Sequence, residues 1–133
     1  MQRRLAGALA DMGVKRGDRV AVMTPNCPEV GLTYAAVWRL GAVTVPILFL
    51  LAQGEVEHIL RDAEPVVVVT SPEFVGVGNA SIAGIEPAPR VLIVGEASTD
   101  GAEAMTPLIL SGREREAITD MSPDDIAGIN YTG

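Results

Sequence analysis

The residues best suited to chemistry stand late in the sequence, where Tyr131, Thr132 and Gly133 follow a short apolar stretch. That stretch, residues 127–131, predicts a strand, which Gly128 weakens. A strand that ends in glycine and hydroxyl-bearing residues offers backbone N–H groups and a hydroxyl to phosphate oxygens. Thr132 and Gly133 are therefore the candidate phosphate-binding residues. Taken alone, these three residues also fit an ordinary strand end and turn. Whether they form a phosphate site therefore depends on the other motifs of the sequence.

Two other side chains that could act as a nucleophile or a base have simpler interpretations. Cys27 lies in the first turn of a predicted helix, a position found for reactive thiols. However, His58 is the one histidine of the chain, and it is far from Cys27 in sequence. We interpret Cys27 as a small apolar filler and His58 as a solvated residue off the apolar face of its helix. The sequence predicts no catalytic residue.

Three further patterns match ligand sites only in part. Residues 76–81 follow a dinucleotide fingerprint, but Ser81 replaces its third glycine and no clean strand–turn–helix pattern frames it. Adjacent Asp124 and Asp125 precede the last predicted strand, where such residues cap a turn or raise solubility. The alternating charges of residues 113–116 indicate a solvated face. These patterns predict neither a nucleotide site nor a metal site.

The composition limits the partners and the compartment. The 133 residues carry a net charge of -7, with 48% hydrophobic and 4% aromatic residues, so aliphatic side chains have to form the core. A nucleic acid or an anionic membrane as partner would require a basic surface. The single cysteine cannot form an internal disulfide, and we expect a cytoplasmic protein. No signal peptide is evident, and the uncharged stretch at residues 40–52 is too short for a transmembrane segment.

Apolar periodicity predicts alternating helices and strands. The helical spacing of apolar residues predicts helices at residues 5–12 and 55–63, and a start signal at Asn26 with a stop at Gly41 predicts another at residues 27–40. Short aliphatic runs predict four strands ahead of the last one, at residues 20–23, 43–45, 66–69 and 91–94. Strands that are apolar on both faces and alternate with helices are typical of an α/β fold, with a mostly parallel sheet and helices on both faces.

Local signals predict where helices begin and which regions are irregular. Asn26 followed by Glu29 predicts the start of the second helix. Gly54 is the best, though weak, cap for the third. Residues 71–90, rich in proline and glycine, predict an irregular connection with at most one short helix. Residues 96–105 predict a surface loop.

Three motifs stand in a fixed order ahead of the Tyr-Thr-Gly sequence. They are Gly-Val-Lys-Arg-Gly-Asp-Arg-Val-Ala at residues 13–21, Asn-Cys-Pro-Glu at residues 26–29 and Gly-Ala-Val-Thr-Val-Pro at residues 41–46. An amphipathic helix and a valine-rich strand follow at residues 55–69. In this order and spacing the chain resembles the adenylate-forming, AMP-binding enzymes, which include acyl-CoA synthetases, peptide-synthetase adenylation domains and beetle-type luciferases.

The resemblance implies that residues 1–133 are an incomplete amino-terminal part of the large AMP-binding domain, ending at the start of the phosphate-binding loop. The parent enzyme would be an ATP-dependent acid–thiol ligase that uses ATP, Mg²⁺ and coenzyme A. It would convert a carboxylic acid to an acyl-adenylate and then to an acyl-CoA, as in fatty acid metabolism. Thr132 and Gly133 would contact the phosphates. The acid stays open, as does the choice between coenzyme A and a carrier protein, because the family builds its acyl pocket further along the chain.

The motifs that the family carries after the Tyr-Thr-Gly sequence are not among these residues. We therefore expect the chain to be inactive by itself and to bind no cofactor tightly. One alternative is a non-catalytic binding or scaffolding module derived from a ligase, and another is an unrelated Rossmann-type domain that binds NAD near Gly76. Because the strand at residues 66–69 needs cover on both faces and the last strand needs further neighbours, we also expect self-association through exposed sheet surface.

Overall fold

A computed structural model describes residues 1–99 and 101–132. In chain order its elements are α1 (Gln2–Asp11), β1 (Arg19–Met23), α2 (Pro28–Arg39), β2 (Val43–Pro46), α3 (Gln53–Ala63), β3 (Val67–Thr70), α4 (Val75–Ile82), β4 (Arg90–Ile93), β5 (Glu103–Ala104) and α5 (Met105–Ser111). The longest of them, α2, has 12 residues. Within the described part of the chain, no helix combines the length and the apolar character that a bilayer crossing requires.

The strands form one sheet in the order β2-β1-β3-β4-β5, and each neighbouring pair is parallel. Val20 of β1, for example, lies opposite Thr44 of β2 on one side and Val67 of β3 on the other. Parallel neighbours need a crossover connection, and a helix follows each of β1, β2 and β3. The predicted α/β fold with a mostly parallel sheet is confirmed.

Helices cover both faces of this sheet, as predicted. Successive strand residues point to opposite faces, so Val20 and Val22 of β1 pack against α1, α2 and α5, whereas Ala21 and Met23 pack on the side of α3 and α4. The two layers bury aliphatic side chains such as Leu9 on the first face, each worth roughly 1.5–3 kcal/mol. This double cover explains why the strands are apolar on both faces.

The second helix begins one residue later than its capping signal predicts. Cys27, not Asn26, is the N-cap residue, and Pro28 occupies the first helical position. Proline fits there because that N–H has no intrahelical partner in any helix. The predicted capping role of Asn26 is therefore wrong, and the cause is the proline two residues further on.

The third helix begins earlier than predicted. Its first residue is Gln53, so Gly54 lies inside the helix and does not cap it. Instead, the carboxylate of Glu55 reaches back and accepts a hydrogen bond from the backbone N–H of Ala52 at 2.8 Å. An acidic side chain satisfies a free N–H group there and interacts favourably with the helix dipole.

Strands β1 to β4 lie within one residue of their predicted positions, but the connection at residues 96–105 is more ordered than predicted. β3 begins at Val67, and Val66 before it is 37% exposed. The region at residues 71–90 contains α4, the one short helix that the prediction allowed there, and α4 packs against α3. The region at residues 96–105, predicted as a surface loop, contains β5, which extends the sheet beside β4.

After α5 the chain returns across the outer surface of α1 and α2. A Cβ atom on Gly7 would lie 1.9 Å from the carbonyl oxygen of Arg113, so only glycine permits this approach to α1. The N–H of Arg115 donates to the carbonyl of Arg3 at 3.0 Å. The charged side chains of residues 113–116 are exposed as predicted, while their backbone is held against the helices.

The strand predicted at residues 127–131 is wrong as a full strand. The structure has a single parallel bridge there, between Gly128 and Thr44 of β2. A Cβ atom on Gly128 would lie 3.2 Å from Oγ1 of Thr44, so the glycine allows the two backbones to approach closely. We refer to residues 127–132 as the terminal segment.

Candidate functional site

Strands β1 to β4 are parallel, so they end at one edge of the sheet, which we call the carboxyl edge. They end there at Met23, Pro46, Thr70 and Ile93. The helix after β1 lies on one face, and the helices after β2 and β3 lie on the other. The helices therefore change face between the neighbouring strands β1 and β3. Ligands of open α/β sheets bind at the carboxyl ends of strands where such a change occurs.

The terminal segment lies beside β2 at the outside of the sheet. The N–H of Thr44 donates to the carbonyl of Ala127 at 3.0 Å, and the N–H of Ile129 donates to the carbonyl of Thr44 at 2.9 Å. Because the bridge is parallel, the segment runs in the direction of β2. Tyr131 and Thr132 therefore follow the bridge on the way to the carboxyl edge.

The carbonyl oxygen of Ala127 accepts three hydrogen bonds that fix the start of the terminal segment. Besides the N–H of Thr44, the Oγ1 hydroxyl of Thr44 donates to it at 3.1 Å and Nε1 of Trp38 donates at 2.9 Å. A carbonyl has two lone pairs, so its accepting capacity is fully used. Trp38 comes from α2, so the terminal segment is bound to a helix as well as to the sheet.

Tyr131 fixes the other end of the segment through its side chain. Its ring packs against the apolar cluster between the sheet and α3, and its hydroxyl donates to Oδ2 of Asp62 at 2.5 Å. Desolvation of the phenol, together with the hydrogen bond to Asp62 and the negative charge there, raises the pKa of Tyr131 to about 12. The phenol is therefore protonated at neutral pH and acts as a donor.

Of the two predicted phosphate-binding residues, the structure describes Thr132. Thr132 directly follows Tyr131 and is exposed, so its hydroxyl and backbone are accessible to a ligand. Gly133 lies outside the described residues. The binding role of both residues stays a prediction.

The other sequence candidates do not come together into a site. Cys27 is half-buried at the start of α2, with its Sγ 4.0 Å from Oγ1 of Thr24. His58 is exposed on α3, as predicted. Among residues 1–99 and 101–132, no three histidine, cysteine or acidic side chains are close enough to bind a metal ion together.

The partial dinucleotide fingerprint at residues 76–81 lies inside α4. Its serine, Ser81, is fully buried and donates to the carbonyl of Val77 at 2.7 Å, which is a bond within the helix. A fingerprint that binds a pyrophosphate has to form the turn between a strand and a helix. The Rossmann-type alternative with NAD near Gly76 therefore lacks the geometry it requires.

The adjacent aspartates, Asp124 and Asp125, belong to a turn, as predicted. Oδ2 of Asp125 accepts the backbone N–H of Ser122 at 2.8 Å and forms an ion pair with Arg16 at 2.8 Å. The two aspartates line an open cavity of about 630 Å³ beneath the terminal segment. Arg19 and Val43, the first residues of β1 and β2, also line this cavity, and so do Asp62 and Tyr131.

Asp62 is the residue of this region that sequence reasoning missed. It lies in the last turn of α3 and is separated from Tyr131 by 69 positions. An acidic residue at the carboxyl end of a helix interacts unfavourably with the helix dipole. That local conflict is the signal from which a partner elsewhere in the chain could have been suspected.

Comparison with known proteins identifies a family of enzymes to which this chain is similar in sequence. The sequence profile of the AMP-binding enzymes matches residues 1–133. A long-chain-fatty-acid–CoA ligase of Mycobacterium tuberculosis is 34% identical over 131 residues, which are 97% of this chain and 25% of that protein. A feruloyl-CoA synthase of an Amycolatopsis species is 38% identical over 104 residues, covering 78% of this chain and 20% of that protein.

Solved structures of acyl-CoA ligases have the same fold as this chain. A long-chain-fatty-acid–CoA ligase from Archaeoglobus fulgidus superposes with a TM-score of 0.87 at 29% identity, over 99% of this chain and 26% of that one. The chain thus spans about a quarter of the length of these relatives and matches their amino-terminal region. The chain belongs to the AMP-binding, adenylate-forming enzyme family. Its relatives are AMP-forming acyl-CoA ligases, so the predicted family is confirmed.

Proposed function

We propose that this chain is the amino-terminal part of the AMP-binding domain of an ATP-dependent acid–CoA ligase, and that Thr132 and Gly133 open its phosphate-binding loop. The observation that carries the proposal is the placement of the terminal segment. The segment is bound to β2 and runs toward the carboxyl edge with Thr132 exposed. A loop that continued from there would reach the edge at which α/β sheets bind ligands.

The reaction explains why hydroxyl and N–H groups are needed at this position. The carboxylate of the acid attacks the α-phosphorus of ATP, the bond to the bridging oxygen breaks, and pyrophosphate leaves with the displaced charge. The thiol of coenzyme A then replaces AMP at the acyl carbon. The hydroxyl of Thr132 and the backbone N–H groups after it would donate to phosphate oxygens and stabilise that charge. Mg²⁺, bound elsewhere in such an enzyme, would neutralise a further part of it.

We also propose that the chain by itself forms no adenylate and binds ATP only weakly. The support is that the chain spans about a quarter of its relatives' length, so Thr132 contributes one corner of a larger site. The test is AMP formation by the purified chain with ATP, Mg²⁺, coenzyme A and a panel of short-chain, long-chain and aromatic acids. Acid-dependent AMP formation would contradict this proposal.

Weak phosphate binding can be measured directly by nuclear magnetic resonance. We expect MgATP at millimolar concentration to shift the amide signals of Asn130, Tyr131 and Thr132, and we expect Thr132→Ala to weaken the response. Thr99→Ala is the matched control, because Thr99 is another exposed threonine outside the terminal segment. If saturating MgATP moves none of these signals, the phosphate-binding role of this segment is wrong.

The remaining parts of the proposal concern the partners and the compartment. The acid and the final thiol acceptor stay open, because the residues described contain no acyl pocket that can be assigned. The single cysteine, which cannot form an internal disulfide, supports a cytoplasmic location. We further propose that the chain associates with itself through the sheet edge at the terminal segment, where Ile126 is 63% exposed.

A further inference from the structure

Asp62 and Tyr131 form a hydrogen bond that the local sequence does not require. Asp62 lies in the last turn of α3, where the helix dipole disfavours a negative charge. The neighbouring cation, Arg61, is paired with Glu57 one turn earlier at 2.9 Å and so does not compensate Asp62. The partner of Asp62 is the hydroxyl of Tyr131, at 2.5 Å. The contact between these two residues therefore needs an explanation beyond the stability of the helix.

The hydrogen bonds of the terminal segment show what this contact does. The last backbone hydrogen bond to β2 is the one that Ile129 donates to Thr44. Beyond Ile129, in the part of the chain that the structure describes, the bond from Tyr131 to Asp62 is the one hydrogen bond that joins residues 130–132 to the rest of the molecule. The backbone position of Thr132 therefore depends on the side chain that precedes it.

We propose that Asp62 is a positioning residue for the phosphate-binding loop: it accepts the hydroxyl of Tyr131 and thereby fixes the direction in which Thr132 leaves the sheet. Asp62 does not touch the nucleotide in this proposal, and it acts through Tyr131. The ligand is a nucleoside triphosphate, so this inference rests on the proposed function for its chemistry. Its geometric part, the ordering of Thr132 by Asp62, can be tested without any nucleotide.

The competing explanation is that packing alone positions the segment. The ring of Tyr131 lies against the apolar cluster on the α3 side, and that contact survives removal of the hydroxyl. Tyr131→Phe keeps the ring and deletes the hydrogen bond. Asp62→Ala deletes the acceptor, whereas Asp62→Asn keeps a neutral oxygen acceptor of similar size. The three variants therefore separate packing, hydrogen bonding and charge.

The experiment measures exchange of the Ile129 amide proton and the order parameter of the Thr132 amide in the whole chain. Loss of a hydrogen bond to a charged group corresponds to about a tenfold faster opening. We expect that increase for Ile129 in Asp62→Ala and in Tyr131→Phe, with a lower order parameter at Thr132 in both. Asp62→Asn should restore much of the protection. Glu57→Ala, which removes another acidic side chain of α3, is the control and should change neither quantity.

The double variant Asp62→Ala with Tyr131→Phe decides whether the two residues act together. If they form one unit, the second substitution adds little to the first. Exchange at Ile129 and order at Thr132 that are unchanged in Asp62→Ala, or effects that simply add in the double variant, would overturn the inference. All variants should keep the unfolding midpoint within a few degrees, because Asp62 is exposed and Tyr131→Phe keeps the packed ring.

A MgATP titration of the same variants connects the inference to function. We expect the MgATP affinity, measured from the amide shifts at Thr132, to fall about tenfold in Asp62→Ala and to recover in Asp62→Asn. If Asp62→Ala disorders Thr132 but no variant responds to MgATP, Asp62 positions the segment and the proposed function is wrong. If MgATP binds equally to the parent chain and to Asp62→Ala, the proposed function stands and Asp62 does not position Thr132 for the nucleotide.

Discussion

At the scale of single residues, Tyr131 carries the clearest electrostatic signature of the candidate site. Its phenol pKa is raised from 10.0 to about 12, first by desolvation and then by Asp62. The protonated phenol therefore stabilises the folded chain. This contribution is complete below pH 10, where both states are protonated, and is lost as the pH rises through about 12.

We predict that this shift is visible in the near-ultraviolet absorbance of tyrosinate. Burial raises the pKa of Tyr34 as well, so the titration should be done in Tyr34→Phe, which leaves Tyr131 as the one tyrosine. The midpoint should lie near pH 12 and move down when Asp62→Ala is added. A midpoint near 10 in Tyr34→Phe would show that the phenol does not donate to Asp62 in solution.

Gly7 and Gly31 allow a second residue-scale prediction, because they are helical glycines in opposite environments. A Cβ on Gly7 would meet the Arg113 carbonyl at 1.9 Å, whereas one on Gly31 would meet nothing within 4 Å. We expect Gly7→Ala to destabilise the chain by about 1–3 kcal/mol, because backbone has to move. Gly31→Ala should stabilise it by up to about 1 kcal/mol through helix propensity. Urea denaturation measures both, and equal effects would contradict the predicted contact.

The sequence predicted one half of the Tyr131–Asp62 pair. Tyr131, Thr132 and Gly133 were recognised because the motif is local and its order after the other motifs is characteristic. Asp62 was not, because an acidic residue at the carboxyl end of a helix signals an unfavourable charge but does not identify a partner 69 positions away. A residue that acts through another residue is visible only once the fold brings the two together.

At the scale of elements, Arg39 holds the returning chain against α2. Its Nε donates to the carbonyl of Arg115 at 2.8 Å and its Nη2 to that of Glu116 at 2.7 Å. The N–H of Thr119 donates back to the carbonyl of Arg39 at 3.0 Å. The planar guanidinium makes two bonds that a single ammonium group cannot reproduce in the same geometry.

Arg39→Lys should therefore loosen residues 113–119 while leaving the charge unchanged. We expect trypsin to cleave after Arg113 and Arg115 several times faster than in the parent chain, since proteolysis follows local opening. Arg61→Lys is the control, because Arg61 pairs with Glu57 on the surface of α3 and does not contact that segment. Equal cleavage rates in the parent chain and Arg39→Lys would refute the role of Arg39.

Helices and strands were predictable from the sequence where one strong hydrophobic pattern determines the type of element. Strands β1 to β4 were found because they are aliphatic on both faces, and the core of α3 because its apolar residues recur at helical spacing. The helix α4 contains Gly76 and Gly78, which disfavour a helix, and tertiary packing overrides that preference. Gly78 lies close to the sheet, since a Cβ there would be in ordinary contact with Cε of Met23 at 3.6 Å. No local pattern reports such a contact.

At the scale of the whole molecule, the distribution of exposed apolar side chains supports self-association. Ile126 is 63% exposed beside the terminal segment, and Leu48 and Leu50 after β2 are 57% and 74% exposed. The terminal segment contacts β2 on one side, and an unpaired edge of a sheet is a template for a further strand. We expect concentration-dependent sedimentation of the chain.

Ile126→Lys should reduce that association, because a lysine at a sheet edge opposes strand pairing. Leu110→Lys is the matched control, since Leu110 has a similar exposure of 68% but lies on α5, away from this edge. Sedimentation velocity of both variants at several concentrations distinguishes strand pairing at the sheet edge from non-specific association through exposed apolar side chains. A parent chain that stays monomeric at all concentrations would contradict the expectation.

The pairing of the terminal segment with β2 has a consequence for the order in which a ribosome delivers this fold. Thr44 and its acceptor Ala127 are separated by 83 positions, which at a usual rate of synthesis correspond to roughly 4–17 s. During that interval β1, β2 and β3 can already have paired, while the outer side of β2 is unpaired because the terminal segment has not yet been synthesised. A newly made chain therefore passes through a period in which β2 can accept a strand from another molecule, and a chaperone that shields that side would have its greatest effect then.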